Sequence, residues 1–254
     1  MTRPDTTRPD MTRRATDPHA PTADPDAAGT GLPAAVLWDM DGTLVDTEPY
    51  WFEAESALIA AHGGTWSPEH ARNLVGSALP AAGEYIRLHA GVDLTGEQIV
   101  DHLLDAVTAR VGDHVPWRSG ARELLTRLVE DGVPCALVTM SYRRLAEAVV
   151  AGLPRGTFTT VVAGDEVTHG KPHPEPYLTA AARLGVPPGS CVAIEDSPTG
   201  VASAEAAGMP VLAVEHLVPL PPGPRRRVLS GFDGVTPADL TRLLTALRGP
   251  VRHP

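Results

Sequence analysis

The sequence predicts an α/β protein, a Rossmann-like parallel sheet with helices on both faces and an inserted α-helical cap. Two observations predict this fold class. Five short apolar runs alternate with segments of helical periodicity, a pattern typical of a parallel sheet covered by helices on both sides. Between the first two runs, a stretch of more than sixty residues carries helical patterns only, which indicates a helical insertion after the first strand.

The five apolar runs predict strands that are buried on both faces. They are AAVLW at 34–38, CALVT at 135–139, TVVAG at 160–164, CVAIE at 191–195 and VLAV at 211–214. Helices are predicted at 119–130, 174–184, 198–207 and 237–248, and Gly185 and Gly208 stand where the second and third of these should end.

Composition shifts divide the chain into a core, a cap and two tails. Residues 1–32 consist largely of Thr, Arg, Pro, Asp and Ala and are expected to be a disordered tail, and 249–254 a frayed one. The core is predicted to comprise 33–49 and 117–248, and the helical cap 50–116. The Pro-rich segment 218–227 is predicted to be a surface loop without helix or strand.

Length and charge narrow the classes of partner. The 254 residues are 43% hydrophobic, which is enough for a sizeable core, and the formal net charge is −10. A negative field repels phosphate backbones and anionic lipid, so we expect neither nucleic acid nor membrane as a partner. No apolar run approaches the length of a spanning helix or a signal peptide. A cytoplasmic protein is expected, as a monomer or a weak homodimer.

Chemically active side chains follow four of the five predicted strands. They are Asp39 and Asp41 after the first, Thr139, Met140 and Ser141 after the second, Lys171 in the loop beyond the third, and Glu195 and Asp196 after the fourth. Because the carboxyl ends of parallel strands meet at one edge of a sheet, we expect these residues to converge there, beneath the inserted cap.

The acidic residues of this group predict a metal site. Three or four carboxylates cannot all stay ionised in one cleft without a cation, because like charges raise one another's pKa. Oxygen ligands without a cysteine or histidine set suit a hard cation, Mg²⁺ first, which shares its coordination shell with substrate phosphate.

The remaining residues predict phosphoryl chemistry. Lys171 is the only lysine among 21 basic residues, which favours a site that needs a compact ammonium group. This ammonium, the Thr139 hydroxyl and the backbone N–H groups of Met140 and Ser141 are donors suited to phosphate oxygens. Asp39 is then placed to attack phosphorus and form an aspartyl phosphate. Asp41, two residues on, is placed to protonate the leaving oxygen and later to activate water.

Four motifs resemble those of the haloacid dehalogenase superfamily. They are DMDGTLVDTE at 39–48, Thr139, GKPHPEPY at 170–177 and IEDSPTGV at 194–201, and the resemblance spans about 34–248. It is strongest to the branch of sugar-phosphate phosphatases and β-phosphoglucomutase-like proteins with a helical cap. The resemblance implies the same roles for Asp39, Asp41, Thr139 and Lys171. It also implies Mg²⁺ ligands, namely the Asp39 carboxylate, the Asp41 backbone carbonyl and Asp196, with Glu195 as a nearby ligand that acts directly or through the others.

Departures from the family patterns narrow the implied reaction. Family dehalogenases lack an acid at the position of Asp41, and phosphonate-cleaving members use a cap lysine, which this chain lacks. The mutases carry a histidine where Trp51 stands, an arginine where Leu79 stands, three residues after the cap glycine Gly76, and a cap lysine. Hydrolysis by water is therefore favoured. A sugar-phosphate mutase is one alternative, and a phosphoryl-accepting or regulatory binding protein is the alternative from another class.

Substrate choice is expected to depend on the cap. Four residues near the first loop and in the cap are candidates for contact with the leaving group: Glu48, Trp51, Gly76 and Leu79. A small phosphorylated metabolite, a hexose or polyol phosphate, is the expected substrate.

Overall fold

The computed structural model describes residues 31–74 and 77–248, and within them the chain forms one parallel sheet. The sheet order is β3-β2-β1-β4-β5-β6. The strands are β1 (Ala35–Trp38), β2 (Cys135–Val138), β3 (Thr160–Val162), β4 (Cys191–Glu195), β5 (Val211–Val214) and β6 (Arg226–Leu229). The predicted fold class is confirmed, and all five predicted strands are present.

The centre of the sheet is the point where its strand order reverses. β1 pairs with β2 on one side, with Val36 opposite Cys135, and with β4 on the other, with Ala35 opposite Cys191. The chain proceeds outward from β1 to β2 and β3, then returns to β4 beside β1. The carboxyl ends of three neighbouring strands therefore border one crevice, the usual ligand position in sheets of this type.

Nine helices accompany the strands in the described part of the chain. The four between β1 and β2 are α1 (Glu48–Ala61), α2 (Pro68–Leu74), α3 (Leu79–His89) and α4 (Gly96–Asp113). The other five are α5 (Ala121–Glu130), α6 (Arg143–Ala151), α7 (Glu175–Leu184), α8 (Pro198–Ala206) and α9 (Pro237–Arg248). The helix α1 begins two residues before the predicted start of the cap at residue 50.

Alternate residues of the central strand build two hydrophobic layers. Val36 and Trp38 of β1 face a core shared with α5, α6 and α9, and this core continues into the four helices of the insertion. Ala35 and Leu37 face the opposite core, beneath α7 and α8. Both faces of β1, β2, β4 and β5 are buried, which explains why these strands are continuous apolar runs, whereas β3, predicted to be buried as well, is partly exposed.

The segment predicted to be a Pro-rich loop ends in a sixth strand. Arg226 and Arg227 belong to β6, which pairs in parallel with β5, so the prediction for these two residues is wrong. The strand lies at the sheet edge and is only partly buried, so it lacks the apolar run by which the others are detectable. Arg226 also forms a two-pronged ion pair with Glu205 of α8, at 2.8 and 2.6 Å, which fixes the strand to the neighbouring layer.

Parts of the predicted tails lie outside the described residues, namely 1–30 and 249–254. At the start of the described chain Leu32, assigned to the tail, packs against the core. Among the described helices, none has both the length and the apolar composition needed to cross a bilayer.

Burial along α5 gives a direct test of this packing. Leu128 is fully buried, whereas the adjacent Val129 is partly exposed to solvent. We expect Leu128→Ala to lower the free energy of unfolding by about 2–5 kcal/mol, because it removes buried methyl groups and leaves a cavity. The matched Val129→Ala variant should cost less than about 1 kcal/mol. Urea unfolding of both variants measures this difference, and equal losses would contradict the layer assignment.

Candidate active site

The structure brings the predicted catalytic residues together at the carboxyl edge of the sheet. A cleft between this edge and the inserted helices has a volume of about 120 Å³. Ten of the predicted site residues line it: Asp39, Asp41, Glu48, Trp51, Leu79, Thr139, Met140, Ser141, Lys171 and Asp196. Glu195 does not line the cleft, and Gly76 lies outside the described residues.

Lys171 occupies a buried position between two carboxylates. Its side chain is 5% exposed, and its Nζ lies 2.6 Å from Asp39 Oδ1, 2.7 Å from Glu195 Oε1 and 2.9 Å from the carbonyl oxygen of Val138. Burial would lower the pKa of Lys171, but the two carboxylates outweigh burial and hold this pKa above its usual value. The ammonium is therefore a fixed positive charge on the floor of the cleft.

Glu195 is saturated with hydrogen bonds behind this ammonium. Its Oε1 accepts from Lys171 and from the Tyr177 hydroxyl at 2.9 Å. Its Oε2 accepts from the backbone N–H groups of Asp196 and Ser197 and from the Ser197 hydroxyl. A Cβ on Gly200 would overlap this carboxylate, so the helix α8 can approach only because residue 200 is glycine. These contacts favour a supporting role for Glu195 over direct metal ligation.

Asp39 and Asp196 form an acidic pair in the cleft. Burial and the nearby Glu195 raise the pKa of Asp39 to about 7, against the opposing effect of Lys171. Burial, Asp39 and Glu195 raise the pKa of Asp196 well above its usual range. A divalent cation would stabilise the ionised form of carboxyl groups whose pKa values are raised in this way.

The space beside Asp196 fits a hard cation. Gly42 has a φ of +82°, and a Cβ there would overlap the Asp196 carboxylate. The Asp196 Oδ1 accepts from the Thr43 hydroxyl at 3.1 Å, which orients the carboxylate. The nearby donor set consists of oxygen atoms, as Mg²⁺ prefers. The residues present therefore fit the magnesium ion that the sequence predicts.

Asp41 is held by hydroxyl groups rather than by a cation. Its Oδ1 accepts from the Thr47 hydroxyl, and its Oδ2 accepts from the hydroxyls of Ser141 at 2.7 Å and Thr139 at 3.3 Å. The Ser141 backbone N–H donates to Thr139 Oγ1 at 2.9 Å, so this predicted phosphate donor is engaged within the site. These hydrogen bonds fix the orientation of the Asp41 carboxyl group at the edge of the sheet that also carries Asp39.

A histidine missed by the sequence analysis contacts the first loop. His216, in the loop after β5, places its Nε2 3.1 Å from Asp46 Oδ1 and 3.4 Å from Glu48 Oε2. Its contact with Glu48 raises the pKa of His216. Glu48, expected to contact substrate, is buried and faces this histidine.

Other supporting residues also escaped the sequence analysis, namely Thr43, Thr47, Tyr177 and Ser197. The first two lie within the DMDGTLVDTE motif, so position could have suggested them. Tyr177 and Ser197 lie within the motifs at 170–177 and 194–201, so position could have suggested them too, but their hydrogen bonds to Glu195 are visible only in the structure.

The cap side of the cleft is largely apolar. Trp51 and Leu79 line it as predicted, together with Phe52 of α1. Of the described lining residues between 50 and 116, Glu55 is the only ionisable one. Its side chain is 4% exposed, and its Oε2 accepts from Trp66 Nε1 at 3.0 Å.

Comparisons with known proteins identify the family. A family model described as haloacid dehalogenase-like hydrolase matches residues 33–208. The chain is 31% identical over 191 residues to hexitol phosphatase B of Escherichia coli strain K12, covering 71% of this chain and 82% of that protein. It is 35% identical over 192 residues to protein CbbY of Rhodobacter capsulatus, covering 70% and 83%.

A solved structure gives the same result. The fold matches CbbY from Rhodobacter sphaeroides in complex with phosphate with a TM-score of 0.73 at 28% identity, covering 80% of this chain and 96% of that one. The chain belongs to the haloacid dehalogenase-like hydrolases. The predicted family and enzyme class are confirmed.

Glu55 should make stability depend on pH. Burial raises its pKa from 4.5 to about 7, against the opposing Trp66 hydrogen bond. The folded state therefore binds more protons than the unfolded state between these values, and the free energy of unfolding should fall as pH rises through this window. The fall attributable to Glu55 is at most about 3 kcal/mol.

The Glu55→Gln variant removes this titration, and urea unfolding from pH 4.5 to 8 measures it. As pH rises, the free energy of unfolding of wild type should fall relative to that of Glu55→Gln. Glu53→Gln, at an exposed position of the same helix, is the matched control. Parallel stability curves for wild type and Glu55→Gln would contradict the raised pKa.

Proposed function

We propose that this hydrolase is a Mg²⁺-dependent phosphatase that hydrolyses a small sugar or polyol phosphate through an aspartyl-phosphate intermediate on Asp39. The observation that carries the proposal is the contact between Asp39 and the buried ammonium of Lys171, with Asp41 oriented at the same edge. The cleft is smaller than the roughly 300–1,000 Å³ of sites for drug-sized ligands, which supports a small substrate. Hexitol phosphatase B, a relative by sequence, also carries a phosphatase name.

In the first step Asp39 acts as the nucleophile. A carboxylate oxygen of Asp39 forms a bond to phosphorus while the bond from phosphorus to the leaving oxygen breaks. The electron pair of that bond stays on the leaving oxygen, which takes a proton from Asp41. The hydrogen bonds from Thr47 and Ser141 hold the Asp41 carboxyl in position for this transfer.

In the second step Asp41 acts as the base. Its carboxylate removes a proton from water while the water oxygen attacks phosphorus, the bond to Asp39 breaks, and inorganic phosphate and the Asp39 carboxylate are released. Lys171, the Thr139 hydroxyl and the backbone N–H of Met140 bind the phosphate oxygens, while Ser141 orients Asp41. The Lys171 ammonium is held at the sheet edge before substrate binds, so its charge is already in place to stabilise the charge that develops on phosphate.

The proposed metal site consists of the Asp39 carboxylate, the Asp41 backbone carbonyl and the Asp196 carboxylate. Bound Mg²⁺ supplies positive charge that offsets the repulsion between the phosphate and the nucleophile. Thr43 orients Asp196 for this role, and Glu195 holds Lys171.

Hydrolysis is favoured over the mutase reaction by the cap. Lys171 is the only cation among the described residues that line the cleft, and it faces the phosphate that reacts. A mutase of this type must also bind a second phosphate, for which Trp51 and Leu79 provide no charge. A phosphoryl-accepting regulatory protein needs a long-lived acyl phosphate, which Asp41 would hydrolyse.

The proposal includes a cytoplasmic location and a monomeric or weakly dimeric state. The expected substrates are phosphorylated sugars, which are cytoplasmic metabolites. Cys135 is a buried free thiol, as is usual in a reducing compartment. The structure describes five large exposed hydrophobic side chains. Leu88, Val129 and Leu178 are scattered singly and only Leu217 and Val218 are adjacent, which supports weak self-association at most.

Asp39→Asn tests the proposed chemistry. Phosphate release from sugar, polyol and nucleotide monophosphates should require Mg²⁺, stop on chelation, and fall roughly 1,000-fold or more in the variant, because an amide is a poor nucleophile. Asp93→Asn, at an exposed cap position, should retain wild-type activity. Substantial activity in Asp39→Asn would exclude Asp39 as the nucleophile. Isomerisation of hexose phosphates without phosphate release would establish the mutase instead.

Lys171→Arg tests the need for a compact cation. The ammonium lies within 3 Å of three acceptors, and the planar guanidinium cannot occupy this position without displacing them. We expect kcat/KM to fall by about 100-fold or more. The reciprocal Arg183→Lys substitution, on the surface of α7, should change it less than about twofold. Near-normal kinetics of Lys171→Arg would show that any cation suffices.

A further inference from the structure

Glu55 is a buried acid that the proposed phosphoryl chemistry does not use. It lies in the middle of α1, on the side of the cleft that faces Asp39 and Asp41. The reacting groups all belong to the strand ends and the loops that follow them, so Glu55 lies where the leaving group, rather than the phosphate, would be placed.

The hydrogen bonding of Glu55 is incomplete. Its Oε2 accepts from Trp66 Nε1, whereas its Oε1 has no donor within 31–74 and 77–248 and stays open to the cleft that Glu55 lines. A carboxylate oxygen that faces a cleft can accept a hydrogen bond from a bound molecule without breaking a contact inside the protein. Burial is also the largest effect on the pKa of Glu55, and no charged neighbour contributes to that pKa. A donor on a bound molecule would supply the missing contact.

The surroundings of Glu55 define which donor fits. The described cap wall is formed mainly by apolar side chains, including Leu74, Leu79, Val100 and Leu103. A cationic group on the leaving group would lose its hydration against this wall, and an anionic group would find no partner of opposite charge there. A neutral hydroxyl group can donate to Glu55 and place its carbon framework against the apolar surface.

We propose that Glu55 is a specificity-determining residue that accepts a hydrogen bond from a hydroxyl group of the leaving alcohol. It thereby selects neutral, hydroxylated leaving groups over those that carry a carboxylate or a second phosphate. This inference rests on the proposed phosphatase function and names the feature of the substrate that the cap recognises. Trp66 acts on Glu55 as a positioning residue, since its indole N–H fixes the orientation of the carboxylate.

The experiment compares specificity ratios rather than single activities. For wild type, Glu55→Leu, Glu55→Gln and the control Glu53→Gln, kcat/KM is measured with a hexitol phosphate, its deoxy analogues, p-nitrophenyl phosphate and phosphoglycolate. The nitrophenyl leaving group has no hydroxyl group for Glu55 to bind. Phosphoglycolate has an anionic leaving group.

At pH 8, where Glu55 is ionised because its pKa is about 7, we expect Glu55→Leu to lower the ratio of hexitol phosphate to p-nitrophenyl phosphate by about 10- to 100-fold, since the hydroxyl loses its charged acceptor. In wild type, the kcat/KM of at least one deoxy analogue should be lower than that of the hexitol phosphate by a similar factor. In Glu55→Leu, the two substrates should have about the same kcat/KM. Glu55→Gln removes the negative charge, so it should raise the ratio of phosphoglycolate to hexitol phosphate by about 10-fold. Glu53→Gln, whose side chain pairs with Arg110 at the surface, should leave every ratio unchanged.

The outcomes separate the inference from the function on which it rests. A wild-type protein that releases phosphate from no substrate would overturn the proposed phosphatase. An active wild type whose ratios are unchanged in both Glu55 variants would overturn the role of Glu55 alone. A uniform loss on all substrates in the well-folded Glu55→Gln variant would likewise overturn it, since that result shows a structural role. Thermal unfolding shows whether Glu55→Leu is folded. If it is not, the specificity ratios of Glu55→Gln and of the deoxy analogues test the role of Glu55 instead.

Discussion

The buried Lys171 ammonium, between Asp39 and Glu195, is the interaction on which the site depends. It connects the loop after β3 to the ends of β1 and β4, and so fixes three separate segments at one point. Without this charge the buried carboxylates of Asp39 and Glu195 would repel one another. A buried ion pair of this kind is costly to break, because removing one partner leaves an uncompensated charge. Its geometry therefore constrains the surrounding backbone.

Much of the surrounding structure serves to hold that ammonium. Glu195 has a complete set of hydrogen bonds from Tyr177, Ser197 and the backbone, and Gly200 leaves room for its carboxylate. The carboxylate is thereby fixed at the distance that positions Lys171. Such support explains how a buried charged network can be rigid enough to orient a nucleophile before substrate binds.

The two sides of the cleft differ in chemical character. The sheet edge carries the charged groups to which we assign the phosphoryl chemistry, and these belong to the motifs that resemble those of the family. The described residues between 50 and 116 contribute a largely apolar wall, on which Glu55 is the only ionisable side chain that lines the cleft. Because the wall is supplied by one insertion, its side chains can define the leaving group without disturbing the network around Lys171.

The sequence by itself determined five strands of the sheet, the insertion after the first of them, and most of the residues that meet at the carboxyl edge. Buried strands are continuous apolar runs, and parallel topology brings their carboxyl ends together, so the positions of Asp39, Thr139, Lys171 and Asp196 along the chain were sufficient. Tertiary structure alone decided the edge strand β6, which is half exposed and stabilised by the Arg226 pair with Glu205. It also decided the surroundings of Glu55 and the approach of His216 to Glu48. The physical reason is that periodicity encodes burial along one segment, whereas a contact between distant segments depends on how separate elements pack.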